Sequence, residues 1–370
     1  MAIGLVMGKV SSEFTFQRTG RTVRNRTVLA ALTNKQSHED GSLSNDERHW
    51  LTLRSKGGFG IVTTAAANVT ETGRGWVGEL GVWSDLHLPG LTQLAEELTK
   101  HGALSLVQLF HGGMRAPLRL TGVQPVSASE NTEPGMDGVV SKALSSAEIE
   151  SIIDDFSQAA KRCEQAGFCG VELHGAHSYL ISQFLGPVTN RRTDEWGGTL
   201  EGRATFLKRI IEAVRSSTSE EFIVGVRLSP TIRDLGISLE ESLQVAEWCS
   251  QWGLDFLHIS CWDIYQNKQS IEGREQTQTK WFSERLAGRI PIITTGKIWT
   301  NEDVGFAMKE GADFVGVGLA GIAHPDWPKQ LMNSTDPSKP PFSIDHLQRS
   351  GLSPVFIEYM MRWKGFVDDE

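Results

Sequence analysis

Eight short apolar runs recur along the chain. They are "TVLAALT" (27–33), "FGIVTTA" (59–65), "ALSLVQLF" (103–110), "CGVELH" (169–174), "FIVGVRL" (222–228), "LDFLHIS" (254–260), "IPIITTG" (290–296) and "DFVGVGL" (313–319). Their apolar character is nearly continuous rather than alternating, the pattern of strands covered on both faces. Between most of them, residues 145–166, 199–215, 238–252 and 300–310 carry apolar side chains at three- and four-residue steps, as amphipathic helices do. The first of these opens with Ser145 three residues before Glu148, a capping-box spacing, and stops at Gly167. Eight strands alternating with helices predict an α/β fold of the parallel (β/α)8 TIM-barrel type.

With 370 residues the chain is long for one domain, yet barrels of this kind often run to such lengths, so residues 1–370 are read as one unit. Residues 14–24 read as an N-terminal hairpin plugging the barrel floor. Residues 111–144, rich in Gly and Pro, form a lid-like excursion after the third strand. A polar insertion, 261–276, follows the sixth strand, and the tail from Ser353 has the periodicity of a docked helix.

Composition narrows the function classes. Hydrophobic residues make up 39% and charged residues 22%, enough for a large core. A net charge of −9 disfavours nucleic acid and anionic membranes as partners. The four cysteines form no C-x-x-C pair, so they read as reduced, buried thiols and not as a zinc or iron–sulfur site. The N-terminal stretch lacks the basic lead-in of a signal peptide, and no apolar run reaches the roughly 20 residues that span a bilayer. A cytoplasmic protein is expected. Whether it forms a homo-oligomer is left open.

In this architecture catalytic groups stand at the C-terminal ends of strands. Those ends are Thr33, Ala66, Gln108, His174, Arg227, Gly296 and Gly318. In "CGVELHGAHSYLISQFLGPVTNRRTDEWGG" (169–198), His174 is followed by His177 and Tyr179. Two imidazoles can donate to an oxygen that gains negative charge, and a phenol protonated at neutral pH can give a proton to a carbanion. That set suits an activated C=C or C=O bond. A zinc pair is the competing reading, and it lacks a third ligand of obvious spacing. The glycines of "TTGKIW" and "VGVGLAG" read either as tight turns or, paired on strands seven and eight, as a phosphate pocket.

The stretch "HGAHSYLISQFLGPVTNRRTDEWGGTLEGRATF" resembles the signature of the old yellow enzyme family, the FMN-dependent ene-reductases. "VRNRTVLAALT", "GLTQLAEELTKHGALSLVQLFHGG" and "VGVRLSP" resemble the family's first, third and fifth strand units. The resemblance implies non-covalent FMN, with NADH or NADPH as hydride donor and an electron-poor small-molecule alkene as acceptor. Enones, enals, maleimides and nitroalkenes are the expected acceptors. It implies a ping-pong exchange in which flavin N5 takes hydride and passes it to the alkene's β-carbon. His174 and His177 would bind the substrate oxygen and Tyr179 would protonate the α-carbon. Thr33 and Ala66 would lie along the flavin's O4 and N5 edge, Gln108 at the pyrimidine edge, and Arg227 by N1 and O2. Gly296, Lys297, Gly318 and Leu319 would line the phosphate pocket.

Two positions depart from the family pattern. Ala31 stands where the family usually has proline, and Leu319 stands where it usually has an arginine. Lys297, directly after Gly296, reads either as the replacement for that arginine or as a solvent-facing lysine on the turn. The larger relatives' cysteine cluster is missing, so electrons are expected directly from NAD(P)H. The rival readings are an FMN-dependent amine dehydrogenase or oxidase, a non-catalytic flavin-binding barrel, and a flavin-free aldolase-like barrel.

Overall fold

The computed structural model describes residues 3–133, 135, 138–266 and 268–368. Eight parallel strands form its centre: β1 (Thr27–Leu29), β2 (Ile61–Asn68), β3 (Leu104–Phe110), β4 (Gly170–Gly175), β5 (Ile223–Leu228), β6 (Phe256–Ser260), β7 (Ile292–Thr295) and β8 (Phe314–Val317). Each pairs with its sequence neighbours, and β8 pairs back onto β1, closing the barrel. All eight expected strands are present. Within them only Ser260 is not fully buried, which is why the sequence showed unbroken apolar runs.

The expected helices also form, as Ser146–Gln165, Leu200–Ser217, Leu239–Gln251 and Asn301–Lys309. Ser145 and Glu148 make the reciprocal capping box. Gly167 follows with φ +91°, a conformation glycine adopts without a Cβ clash.

Two ends of the barrel are closed differently. At the floor, Phe14–Thr15 and Thr22–Val23 pair antiparallel. Between them Phe16 drops into a buried cluster with Val28, Ile61, Phe256, Ile293 and Phe314. The Phe16 and Phe314 rings stack at 5.8 Å. Arg18 fastens this plug by donating Nε to the buried Asp255 carboxylate at 2.8 Å.

At the mouth, the excursion after β3 carries a helical turn, Leu118–Thr121, and a short parallel pairing of Val126–Ser127 with Lys142–Ala143. The insertion after β6 is a hairpin, Lys268–Ile271 with Arg274–Thr277. The tail helix Pro354–Met360 docks through Phe356, Ile357 and Met360. No helix among the described residues is long and apolar enough to cross a membrane. All four cysteines are free and buried.

Candidate active site

The barrel register carries polar groups to one level. Ala66 lies opposite Gln108, Gln108 opposite Glu172, and Arg227 opposite both His174 and His258. A register shift between Thr63 and Ala66 brings Ala66 to that level, and β2 runs on to Asn68, two residues past the expected strand end at Ala66. Above this level opens a cavity of about 600 Å3. It is lined by Ala31, Thr33, Ala66, Gln108, His174, His177, Tyr179, Arg227 and Leu319, nine of the residues the sequence singled out. Gly296, Lys297 and Gly318 do not line it.

His174, at the end of β4, is buried. The Ala176 N–H donates to its Nδ1 at 3.3 Å, so the ring's own proton belongs on Nε2. Desolvation holds its pKa well below the usual range, reinforced by His177 and Arg227. It is a neutral donor at neutral pH. His177 takes φ +58° in the turn after β4, which tips its ring toward the mouth. Its Nε2 meets Ser260 Oγ at 2.7 Å, and the same Oγ accepts from Arg227 at 3.1 Å. Desolvation, then the Arg227 charge, lowers its pKa as well.

Tyr179 completes the group. Its ring stands edge-on to Phe110 at 4.5 Å and to His174 at 4.9 Å. Burial pushes its pKa up to about 12. The Arg115 guanidinium lies 5.0 Å from the ring centroid. Arg115 also donates to the His177 carbonyl at 2.8 Å, bracing the turn that carries both residues.

A buried belt lies beneath them that the sequence reading missed. Gln108 donates Nε2 to Glu172 Oε1 at 2.7 Å, and Glu172 Oε2 accepts from His258 Nδ1 at 2.7 Å. His258 Nε2 meets Thr295 Oγ1 at 2.5 Å. Burial would raise the Glu172 pKa, but His258, Arg227 and Gln108 together carry it below the usual value. His258 is lowered by desolvation despite Glu172. An ionised Glu172 beside a neutral His258 satisfies both directions. The carboxylate orients the Gln108 amide and partly balances Arg227. A titratable residue inside an apolar strand run was the available signal, Glu172 in "CGVELH" and His258 in "LDFLHIS".

The sequence profile of the NADH:flavin oxidoreductase / NADH oxidase family matches residues 14–336. The chain belongs to this family. Among its relatives, the Bacillus subtilis protein named "Probable NADH-dependent flavin oxidoreductase YqiG" is 36% identical over 85% of each chain. The NADH:acrylate oxidoreductase of Vibrio harveyi is 32% identical over 88% of this chain, which spans 33% of that longer protein. The solved old yellow enzyme homologue from Zymomonas mobilis superposes with a TM-score of 0.79 at 27% identity, covering 91% of this chain and 96% of that one. The chain is thus an NAD(P)H-dependent flavin oxidoreductase of the old yellow enzyme family, and its family cofactor is FMN.

The cavity fits that cofactor. Arg227 donates to the Ala31 carbonyl at 3.2 Å and to Ser260, while its buried Nε has no partner. A buried guanidinium donor left unpaired is costly unless a ligand acceptor meets it. Gln108 is held by Glu172 through one amide hydrogen only, leaving its Oε1 as acceptor and a second N–H as donor. Ala31, Ala66, Leu319 and Ile322 supply apolar wall for a planar ring.

The glycine signal divides. A Cβ on Gly316 would meet Thr295 Oγ1 at 2.3 Å, and one on Gly296 would meet the Cys261 carbonyl oxygen at 2.7 Å, so both are required by barrel packing. Gly318 would touch only Leu32, at 3.2 Å. Lys297 takes φ +52°, and its ammonium is 3.3 Å from Asp263 with half the side chain exposed. It is drawn to a carboxylate on the β6 loop.

Proposed function

We propose that the protein reduces electron-poor C=C bonds at the expense of NAD(P)H. One observation carries this reading: two neutral imidazoles and a protonated phenol converge on the cavity where Arg227 keeps an unpaired donor. Arg227, Gln108, Ala66 and Thr33 are the residues that would hold FMN. FMN bound there supplies a two-electron carrier that accepts hydride from the nicotinamide and returns it to the second substrate.

The chain's own residues do the rest. His174 donates from Nε2 to the carbonyl or nitro oxygen of the alkene, with His177 beside it. That withdraws electron density from the double bond and favours attack at its β-carbon. Both imidazoles stay neutral, so they hold the oxygen without surrendering a proton to it. Tyr179 gives its hydroxyl proton to the α-carbon. The phenolate left behind is steadied by Arg115 and takes a proton back from solvent. The acrylate oxidoreductase among the relatives is named for a substrate of this chemical type.

Rapid mixing tests the assignment. Tyr179→Phe should leave flavin reduction by NADH nearly intact. Reoxidation by cyclohexenone should slow by about 10²–10⁴-fold, the usual worth of a positioned acid. Equal loss in both half-reactions would make Tyr179 a structural residue.

A further inference from the structure

A second chamber, of about 460 Å3, adjoins the cavity and shares Thr33, Trp76, Arg115, Tyr179 and Tyr359 with it. Four cations line it, Lys35, Arg115, Arg119 and Arg362, and among the described residues no Asp or Glu does. They come from the loop after β1, the excursion after β3 and the tail. Arg115 is answered by Glu133 at 3.1 Å. Lys35, Arg119 and Arg362 enter no ion pair among the described residues.

Their placement is held by the fold. The Lys35 ammonium and the Arg362 guanidinium each lie 5.3 Å from the centroid of one ring, Tyr359, so they are at most twice that distance apart. Lys35 adopts φ +58°, a left-handed conformation uncommon outside glycine. Its carbonyl is pressed so closely on Gly78 that a Cβ there would meet it at 2.3 Å. A chain of net charge −9 has carboxylates to spare, yet none among the described residues lines this chamber. Like charges gathered in a concave site repel one another and focus a field that attracts anions.

We infer that this chamber receives an anionic group, phosphate or carboxylate, carried by whichever molecule occupies the neighbouring cavity. The inference rests on the reductase reading of that cavity. The oxygen next to the reacting bond is taken by His174 and His177, so the anion belongs on a tail remote from the chemistry. Two sources carry such a group: an alkene with an acidic tail, and the pyrophosphate of the nicotinamide dinucleotide.

The test uses the FMN-loaded enzyme and the double variant Arg119→Ala/Arg362→Ala, two exposed side chains outside the catalytic group. Matched pairs separate the sources: 4-maleimidobutyrate against N-propylmaleimide, and NADH against 1-benzyl-1,4-dihydronicotinamide. The KM of at least one charged member should rise about tenfold or more, the worth of a charge-assisted bond, and Arg119→Lys/Arg362→Lys should restore most of it. The neutral members should shift by no more than about twofold. A rise with the maleimide names the alkene tail, and a rise with NADH names the dinucleotide. Equal shifts for charged and neutral partners, or none, would overturn the inference. Calorimetry with inorganic pyrophosphate tests the chamber without turnover: binding should weaken in the double variant, and equal binding would overturn the inference. Loss of N-propylmaleimide turnover in the wild type would instead sink the reductase reading while leaving the calorimetric result to stand.

Discussion

The floor and the mouth of the barrel are built from the same eight strands and spend their residues in opposite ways. At the floor, Phe14, Phe16, Phe256 and Phe314 fill the axis, and Asp255 is met by both Arg18 and Arg215. At the mouth, Arg227 keeps an unpaired Nε, two histidines are held neutral by burial, and three cations stand without carboxylates among the described residues. A completed apolar plug adds to stability and leaves nothing to react. Polar groups desolvated without full partners cost stability and are what a ligand can satisfy. The difference makes the mouth the candidate site on grounds independent of motif.

The largest effect that should separate the two ends lies at the floor. Phe16→Ala removes a ring that is 1% exposed, and should cost about 3–5 kcal/mol in denaturant unfolding. The folded fraction should keep its cavity chemistry unchanged. A comparable loss of activity per folded molecule would erase the distinction between the ends.

At the mouth the cost of burial should appear as a pH dependence. His111 is buried directly after β3, and desolvation lowers its pKa from 6.5 to about 4. Between those values the unfolded chain takes up a proton that the folded chain refuses, so stability should fall as pH drops through this window. The loss amounts to about 3 kcal/mol at most, at 1.36 kcal/mol per unit. His174 and His177, lowered as well, pull in the same direction. His111→Asn, which can still accept from the Gly113 N–H, should flatten part of the acid-side slope. An unchanged slope would show that His111 titrates normally.

The smallest effect belongs to Lys297. A half-exposed ammonium paired with Asp263 is a surface ion pair, worth about 0–1 kcal/mol. Lys297→Ala should therefore change FMN affinity by less than about fivefold. A loss of tenfold or more would show that the ammonium swings from Asp263 to the cofactor phosphate, as expected from its place beside Gly296.

These contrasts also mark what the sequence could tell. The strands were legible because burial on both faces leaves unbroken apolar runs, and Ser145 with Glu148 announced its helix. Strand ends pointed to Thr33, Ala66, Gln108, His174 and Arg227, and all five line one cavity. Adjacency to Gly296 left Lys297 open between the phosphate and solvent, because direction within a turn depends on φ; at φ +52° its ammonium stands 3.3 Å from Asp263. The hairpin after β6 was read only as polar insertion, because its strands have no apolar face. Its signal was the Glu272–Gly273 pair, which takes φ +51° and +78° as a two-residue hairpin turn demands. Glu172 with His258, and the cations around Tyr359, join residues remote in sequence. Barrel register and tail docking bring them together, and neither is a local property of the chain.

Every role assigned at the mouth requires FMN to bind there. Flavin-stripped protein should be titrated with FMN and followed by absorbance, then reduced anaerobically with NADH. Saturable binding of one FMN, a yellow holoprotein, and bleaching by NADH that cyclohexenone reverses are the expected results. Protein that takes up no FMN, or holds FMN that neither NADH nor an enone can turn over, would contradict those roles.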